Sequence, residues 1–195
     1  MIYVIKYAGG NLQSIFNALN KIGADFKASH DPEELEKATK IIFPGVGHAK
    51  SALDDLKEKK LDIFLKNTKK PTLGICLGMQ IMLEYSEESN KNCLGIINGK
   101  VKKFTPQKNV PIPHMGFNEI RFDPNISIFK GLSQNFDAYF VHSYYAESDS
   151  KIATTHYAGV DFTSAIHKDN FFGVQFHPEK SGEKGLQILK NFYEL

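Results

Sequence analysis

The sequence predicts an α/β fold, a doubly wound and mostly parallel sheet with helices on both faces and an antiparallel extension. Two observations predict it. Through the first half, short apolar runs alternate with amphipathic stretches, the βαβα rhythm of parallel strands joined by crossover helices. From about residue 93 to 176 the chain is instead rich in Phe, Tyr, Ile and Val, punctuated by Gly, Asn, Asp and Pro, with no long helical pattern.

Element by element, Ile2–Ile5 reads as a buried strand, followed by a turn at Ala8-Gly9-Gly10. Asn11 is placed to cap a helix whose Leu12, Ile15, Phe16 and Leu19 share one face. A strand around Ala24–Ala28 precedes Asp31-Pro32-Glu33-Glu34, which combines an N-cap, a first-turn proline and acids at the helix start. Ile41–Phe43 is the third strand and ends in Pro44-Gly45-Val46-Gly47. One helical stretch then carries Ala52, Leu53, Leu56, Leu61, Phe64 and Leu65. Thr72–Ile75 is the fourth strand, and a helix over Leu77–Tyr85 starts directly after Cys76. Later strands are expected at Val101–Phe104, Glu119–Phe122, Ala138–Ser143, Ile152–His156, Thr163–His167 and Gly173–Phe176, with a closing helix over Gly182–Glu194. No repeat or linker divides the chain, so residues 1–195 are expected to form a single domain.

Composition narrows the function. The net charge is only +2, and a single arginine, Arg121, is present, which argues against nucleic-acid binding. No run of 18 apolar residues exists to span a membrane, and the N-terminus lacks the pattern of a secretory signal. Two cysteines in unlike contexts, Cys76 and Cys93, do not suggest a disulfide framework, so a cytoplasmic location is expected. The seven histidines show no metal-ligand spacing, and neither a metal nor another cofactor is expected.

Cys76 stands out because it sits at a strand-to-helix junction between Gly74 and Gly78. There a tight turn exposes the sulfur, small neighbours admit a substrate, and the free amides of the helix start stabilise both a thiolate and an oxyanion. A buried structural cysteine is the competing reading. A cysteine nucleophile needs a histidine, and the histidine an orienting acid. His177 and Glu179 follow the apolar run Phe172–Phe176, two residues apart, so one extended segment points both the same way.

Together, Gly74-Ile75-Cys76-Leu77-Gly78-Met79-Gln80 and Gln175-Phe176-His177-Pro178-Glu179 resemble the triad (class I) glutamine amidotransferases, a family of flavodoxin-like fold. The resemblance implies Cys76 as nucleophile, His177 as general base and acid, and Glu179 as its orienting carboxylate. Pro44-Gly45-Val46-Gly47-His48 resembles the family's oxyanion strand, implying oxyanion donors from Gly45, Val46, Gly47 and Leu77. Gln80 and the backbone of His142-Ser143-Tyr144 match positions that hold the substrate, L-glutamine.

Finer motifs resemble one branch of the family, the glutaminase subunits of imidazole glycerol phosphate synthases. These are Pro113-His114-Met115-Gly116-Phe117-Asn118, Gly10-Asn11 and His177-Pro178-Glu179-Lys180-Ser181. Lys6, Ala8 and Phe117 depart from that branch, which commonly has Asp, Gly and Trp there. The branch implies a heterodimer with a (β/α)8-barrel cyclase subunit that consumes the ammonia, faced by Asn11, His114, Met115, Phe117, Tyr139 and Lys180. For Lys180 an ordinary exposed turn is the alternative. Two other readings of the chain are a glutaminase serving a surface-sugar amidotransferase and a stand-alone γ-glutamyl cysteine hydrolase.

Overall fold

The computed structural model describes residues 1–7, 12–132 and 135–195. The turn at Ala8–Gly10 and the expected cap and partner contact at Asn11 lie outside the described residues. The first half runs β1 (Ile2–Ile5), α1 (Leu12–Lys21), β2 (Phe26–Ser29), α2 (Pro32–Leu35), β3 (Lys40–Phe43), α3 (Ala49–Glu58), α4 (Leu61–Asn67), β4 (Thr72–Ile75) and α5 (Leu77–Met82). The second half runs β5 (Tyr85–Ser86), β6 (Lys91–Asn92), β7 (Lys100–Lys103), β8 (His114–Phe122), β9 (Asn135–His142), β10 (Tyr144–Glu147), β11 (Lys151–Tyr157), β12 (Val160–Lys168), β13 (Phe171–Val174) and α6 (Gly182–Glu194).

All of these strands belong to one sheet, in the order β2-β1-β3-β4-β13-β12-β10-β7-β5-β6, with β11, β8 and β9 leaving it from β12. From β2 to β13 every pairing is parallel. Beyond β13 the pairings turn antiparallel, through β12, β10, β11, β8 and β9, apart from the short parallel pairing of β5 with β7. The inner strands β1 and β4 are buried at every residue, as strands covered on both faces must be. Alternation along β1 sends Ile2 and Val4 into one core, with Ile15 and Leu19 of α1 and Ile188 and Leu189 of α6. It sends Tyr3 and Ile5 into the other, with Leu53 and Leu56 of α3 and Met79 of α5.

Local signals act as the sequence suggests at α2, where the Asp31 carboxylate accepts from the Glu33 amide at 2.9 Å and Pro32 opens the helix. Elsewhere tertiary pairing overrides them. The single helical stretch expected after residue 50 is two helices, because Lys60 turns left-handed at φ 57° and lets α4 start afresh. The helix expected to reach Tyr85 stops at Met82, since Leu83 becomes extended and Tyr85 pairs with Lys100 and Asn92. Tyr144–Glu147, not anticipated as a strand, pairs with β7 and β12 and so places Tyr144 inside the sheet.

Candidate active site

The site forms where the parallel and antiparallel parts of the sheet meet. Ile75 of β4 pairs with Val174 of β13, and the Cys76 amide donates to the Val174 carbonyl at 2.7 Å. That pairing carries residue 76 to the side of residues 175–177, which the sequence separates by some hundred positions.

Cys76 sits at φ 53°, ψ −110°, a conformation that costs a non-glycine residue on the order of 1–3 kcal/mol. This turn takes the chain from the end of β4 directly into α5 and leaves Cys76 on the wall of a cavity. Close packing explains the glycines around it. A Cβ on Gly78 would lie 2.0 Å from the Phe43 carbonyl oxygen, and one on Gly45 2.6 Å from the Gly78 amide. Only glycine lets the end of β3 touch the start of α5, and so sets the Pro44–Gly47 segment beside the sulfur. Tyr7 pins the same segment, its hydroxyl donating to the Pro44 carbonyl at 2.7 Å.

His177 and Glu179 are brought together, with Nδ1 2.7 Å from Oε1 and side chains only 3% and 4% exposed, but through a 3-10 turn over Pro178–Lys180 and not along the extended segment that the sequence suggested. Their turn is tied to β9. The His177 amide donates to the Tyr139 carbonyl at 2.9 Å, and the Ser181 hydroxyl donates to the His177 carbonyl at 2.7 Å. Burial alone would depress the imidazole, but its interactions with the Cys76 sulfur as thiolate and the Glu179 carboxylate outweigh this and raise it to about 10. A negative charge on the sulfur and on Glu179 thus favours the imidazolium, and Nε2 has no hydrogen-bond partner among the described residues.

A cavity of about 300 Å³ opens over Cys76, lined by Val46, Gly47, Leu77, Gln80, Glu88, Pro113, Val141, His142, Ser143 and Tyr144. Val46, Gly47, Leu77, Gln80 and the His142–Tyr144 segment thus converge as the sequence implied. Glu88, which sequence reasoning missed, is the one carboxylate on this wall among the described residues, and its Oε2 accepts from the Ala49 amide at 2.7 Å. Gln175 was also missed. It is fully buried, and its Nε2 lies 3.6 Å from Cys76 Sγ. The alternation that aims His177 at the sulfur also aims residue 175, a signal present in the sequence. The Leu77 amide, expected to serve an oxyanion, donates here to the Gly45 carbonyl at 3.3 Å.

The expected partner-facing residues divide. Met115 and Phe117 are 62% and 63% exposed. Phe117 meets Tyr139 edge to face at 5.5 Å, and Lys180 Nζ lies 5.6 Å from the Tyr139 ring. His114 is a correction. It is 3% exposed, because strand alternation turns it inward from Met115, between Phe140 and Tyr157 at centroid distances of 4.7 and 3.8 Å.

A larger cleft of about 710 Å³ between Glu84–Glu87, Asn98–Lys100 and Glu147–Asp149 is lined, among the described residues, by neither cysteine nor histidine. Among the described residues there is no cluster able to hold a metal ion, and no helix is long and apolar enough to cross a membrane. Cys76 and Cys93 are both free thiols.

Residues 3–195 match the glutamine amidotransferase class-I family. The chain is 48% identical to imidazole glycerol phosphate synthase subunit HisH of Bacteroides fragilis, over 100% of this chain and 99% of that protein. It is 43% identical to subunit HisH 2 of Legionella pneumophila, over 100% of this chain and 98% of that protein. Among solved structures, PurLQS from Thermotoga maritima superposes with a TM-score of 0.72 at 18% identity, covering 99% of this chain and 97% of that one, a likeness of fold alone.

Proposed function

The chain belongs to the class-I glutamine amidotransferase family, and from that premise we infer that it is the glutaminase subunit of an imidazole glycerol phosphate synthase. The observation that carries the chemistry is the strained Cys76 elbow, open to the cavity, beside a buried His177–Glu179 pair.

The cavity suits a free amino acid, with a single carboxylate for the ammonium group, backbone polar groups at His142–Tyr144, and the sulfur at its floor. The Cys76 thiolate attacks the carboxamide carbon of L-glutamine, and the developing oxyanion is taken by the amides of Leu77 and the Gly45–Gly47 segment. His177 gives its proton to the leaving nitrogen, and ammonia departs as the thioester forms. His177 then takes a proton from water, the hydroxide attacks the thioester, and glutamate leaves as the thiolate returns. Glu179 holds Nδ1–H throughout, fixing the ring's orientation and stabilising its charge.

Ammonia in water is mostly protonated and then no nucleophile, so a synthetic enzyme profits from a shielded route to its consumer. The full-length relatives are named as subunits, which supports a partner, and we assign that role to a (β/α)8-barrel cyclase docking on Met115, Phe117, Tyr139 and Lys180. A biosynthetic enzyme of this kind would work in the cytoplasm.

Two measurements test the reading. The purified chain, mixed with the cyclase subunit and its acceptor, should support glutamine-dependent synthesis of imidazole glycerol phosphate; intact glutaminase without binding would assign the chain to another acceptor. Cys76→Ala should abolish glutamate release while the far-ultraviolet dichroism and melting curve persist, and retained release would remove Cys76 as nucleophile.

A further inference from the structure

A polar network beneath the cavity centres on the backbone carbonyl of Tyr144. Gln80 Nε2 and His142 Nδ1 each lie 2.8 Å from that oxygen. A carbonyl only accepts, so both nitrogens must donate. Two chains leave this point, and the direction of every link follows.

Toward the nucleophile, Gln80 Nε2 spends its second hydrogen on Gln175 Oε1 at 2.8 Å. This leaves Gln175 Nε2 as the atom that meets Cys76 Sγ. Away from the nucleophile, His142 carries its proton on Nδ1 and so offers a bare Nε2. His114 Nδ1, 3.0 Å away, must then donate. His114 Nε2 is bare in turn and accepts from Asn118 Nδ2 at 3.2 Å. The Asn118 amide is oriented independently, donating to the His156 carbonyl at 3.0 Å and accepting from the Glu119 amide at 2.8 Å. The scheme needs both imidazoles neutral, and burial depresses His142 to about 3 and His114 to about 4.

We propose that His114, His142 and Gln175 are positioning residues of the glutaminase. Locked in the Nδ1–H tautomer, the histidine pair holds the Tyr144 carbonyl, and through it Gln80 and Gln175 aim the Cys76 sulfur and set the substrate-facing strand β10. The chain is continuous from Asn118, on the strand that also presents Met115 and Phe117, to the reacting atom. None of its members needs to touch the carboxamide for its loss to be felt there. This rests on the glutaminase reading above and adds to it a route by which strand β8 acts on the nucleophile.

The first test reads the wild-type chain directly. Long-range proton–nitrogen NMR of ¹⁵N-histidine-labelled protein at pH 7 should show His114 and His142 both as neutral Nδ1–H tautomers. An Nε2–H form or an imidazolium at either position overturns the proposal. This readout is independent of catalysis, so its failure is distinct from failure of the glutaminase reading, which would show as no glutamine hydrolysis at all.

The second test is kinetic, in the complex with the partner. Gln175→Leu should lower kcat about tenfold and leave KM within about twofold, since it meets the sulfur and not the substrate. His114→Phe keeps a ring between Phe140 and Tyr157 but removes both nitrogens, and should lower kcat/KM about tenfold, with partial recovery in His114→Gln, which retains a donor. Wild-type kinetics in Gln175→Leu and His114→Phe would reduce the network to packing and overturn the assignment. Should His114→Phe fail to fold, the tautomer measurement and Gln175→Leu decide alone.

Discussion

The Leu77 amide donates to the Gly45 carbonyl at 3.3 Å, so the donor beside the nucleophile is held by a protein acceptor. An oxyanion must displace that carbonyl before it can use the amide. One such donor typically accounts for about 10²–10³ in kcat. The free chain should therefore hydrolyse glutamine weakly, and the cyclase subunit with bound acceptor should raise the rate by about two orders of magnitude. Glutamate release with and without partner measures this; a free chain as active as the complex would show that the Gly45 contact does not inhibit.

His177 titrates well above its ordinary value of 6.5, near 10, against the opposing effect of burial. A group raised on folding contributes stability that is fully present below its unfolded pKa and lost as pH rises through its folded one. The native chain should thus lose stability between about pH 6.5 and 10, and Glu179→Gln should flatten that loss. The same variant should lower kcat by about 10² or more, the usual contribution of general acid–base catalysis. Thermal melts at pH 6, 8 and 10 and steady-state kinetics read both effects.

Among the described residues, Glu88 supplies the only carboxylate on the cavity wall. Glu88→Gln keeps an oxygen for the Ala49 amide but loses the charge. A charge-assisted hydrogen bond contributes about 1.5–3 kcal/mol, so KM for glutamine should rise about tenfold or more with kcat little altered. An unchanged KM would move the substrate ammonium elsewhere.

Phe117 is exposed and braced by Tyr139, the pattern of an aromatic anchor waiting for a pocket. Phe117→Ala should weaken partner binding about tenfold or more, leaving the slow glutaminase of the free chain intact. Calorimetric titration against the cyclase subunit checks the first part, and loss of basal activity would place Phe117 in the catalytic unit instead.

The sequence by itself determined what acts locally. The Asp31-Pro32 helix start, the apolar runs of β1, β3 and β4, and Cys76 between two glycines depend on backbone geometry within a few residues. The His177–Glu179 pair is only half local: its two-residue spacing is written in the sequence, but a 3-10 turn over Pro178–Lys180, not an extended segment, brings the carboxylate to Nδ1. Tertiary structure alone decided the rest. It stopped α5 at Met82, built β10 from a segment with no distinct strand signal, and turned His114 inward while Met115 faced out. It also delivered Glu88 to the cavity and joined Gln80 to Gln175. These outcomes depend on register between strands far apart in the chain, where a shift of one residue exchanges the faces and no local pattern records the choice.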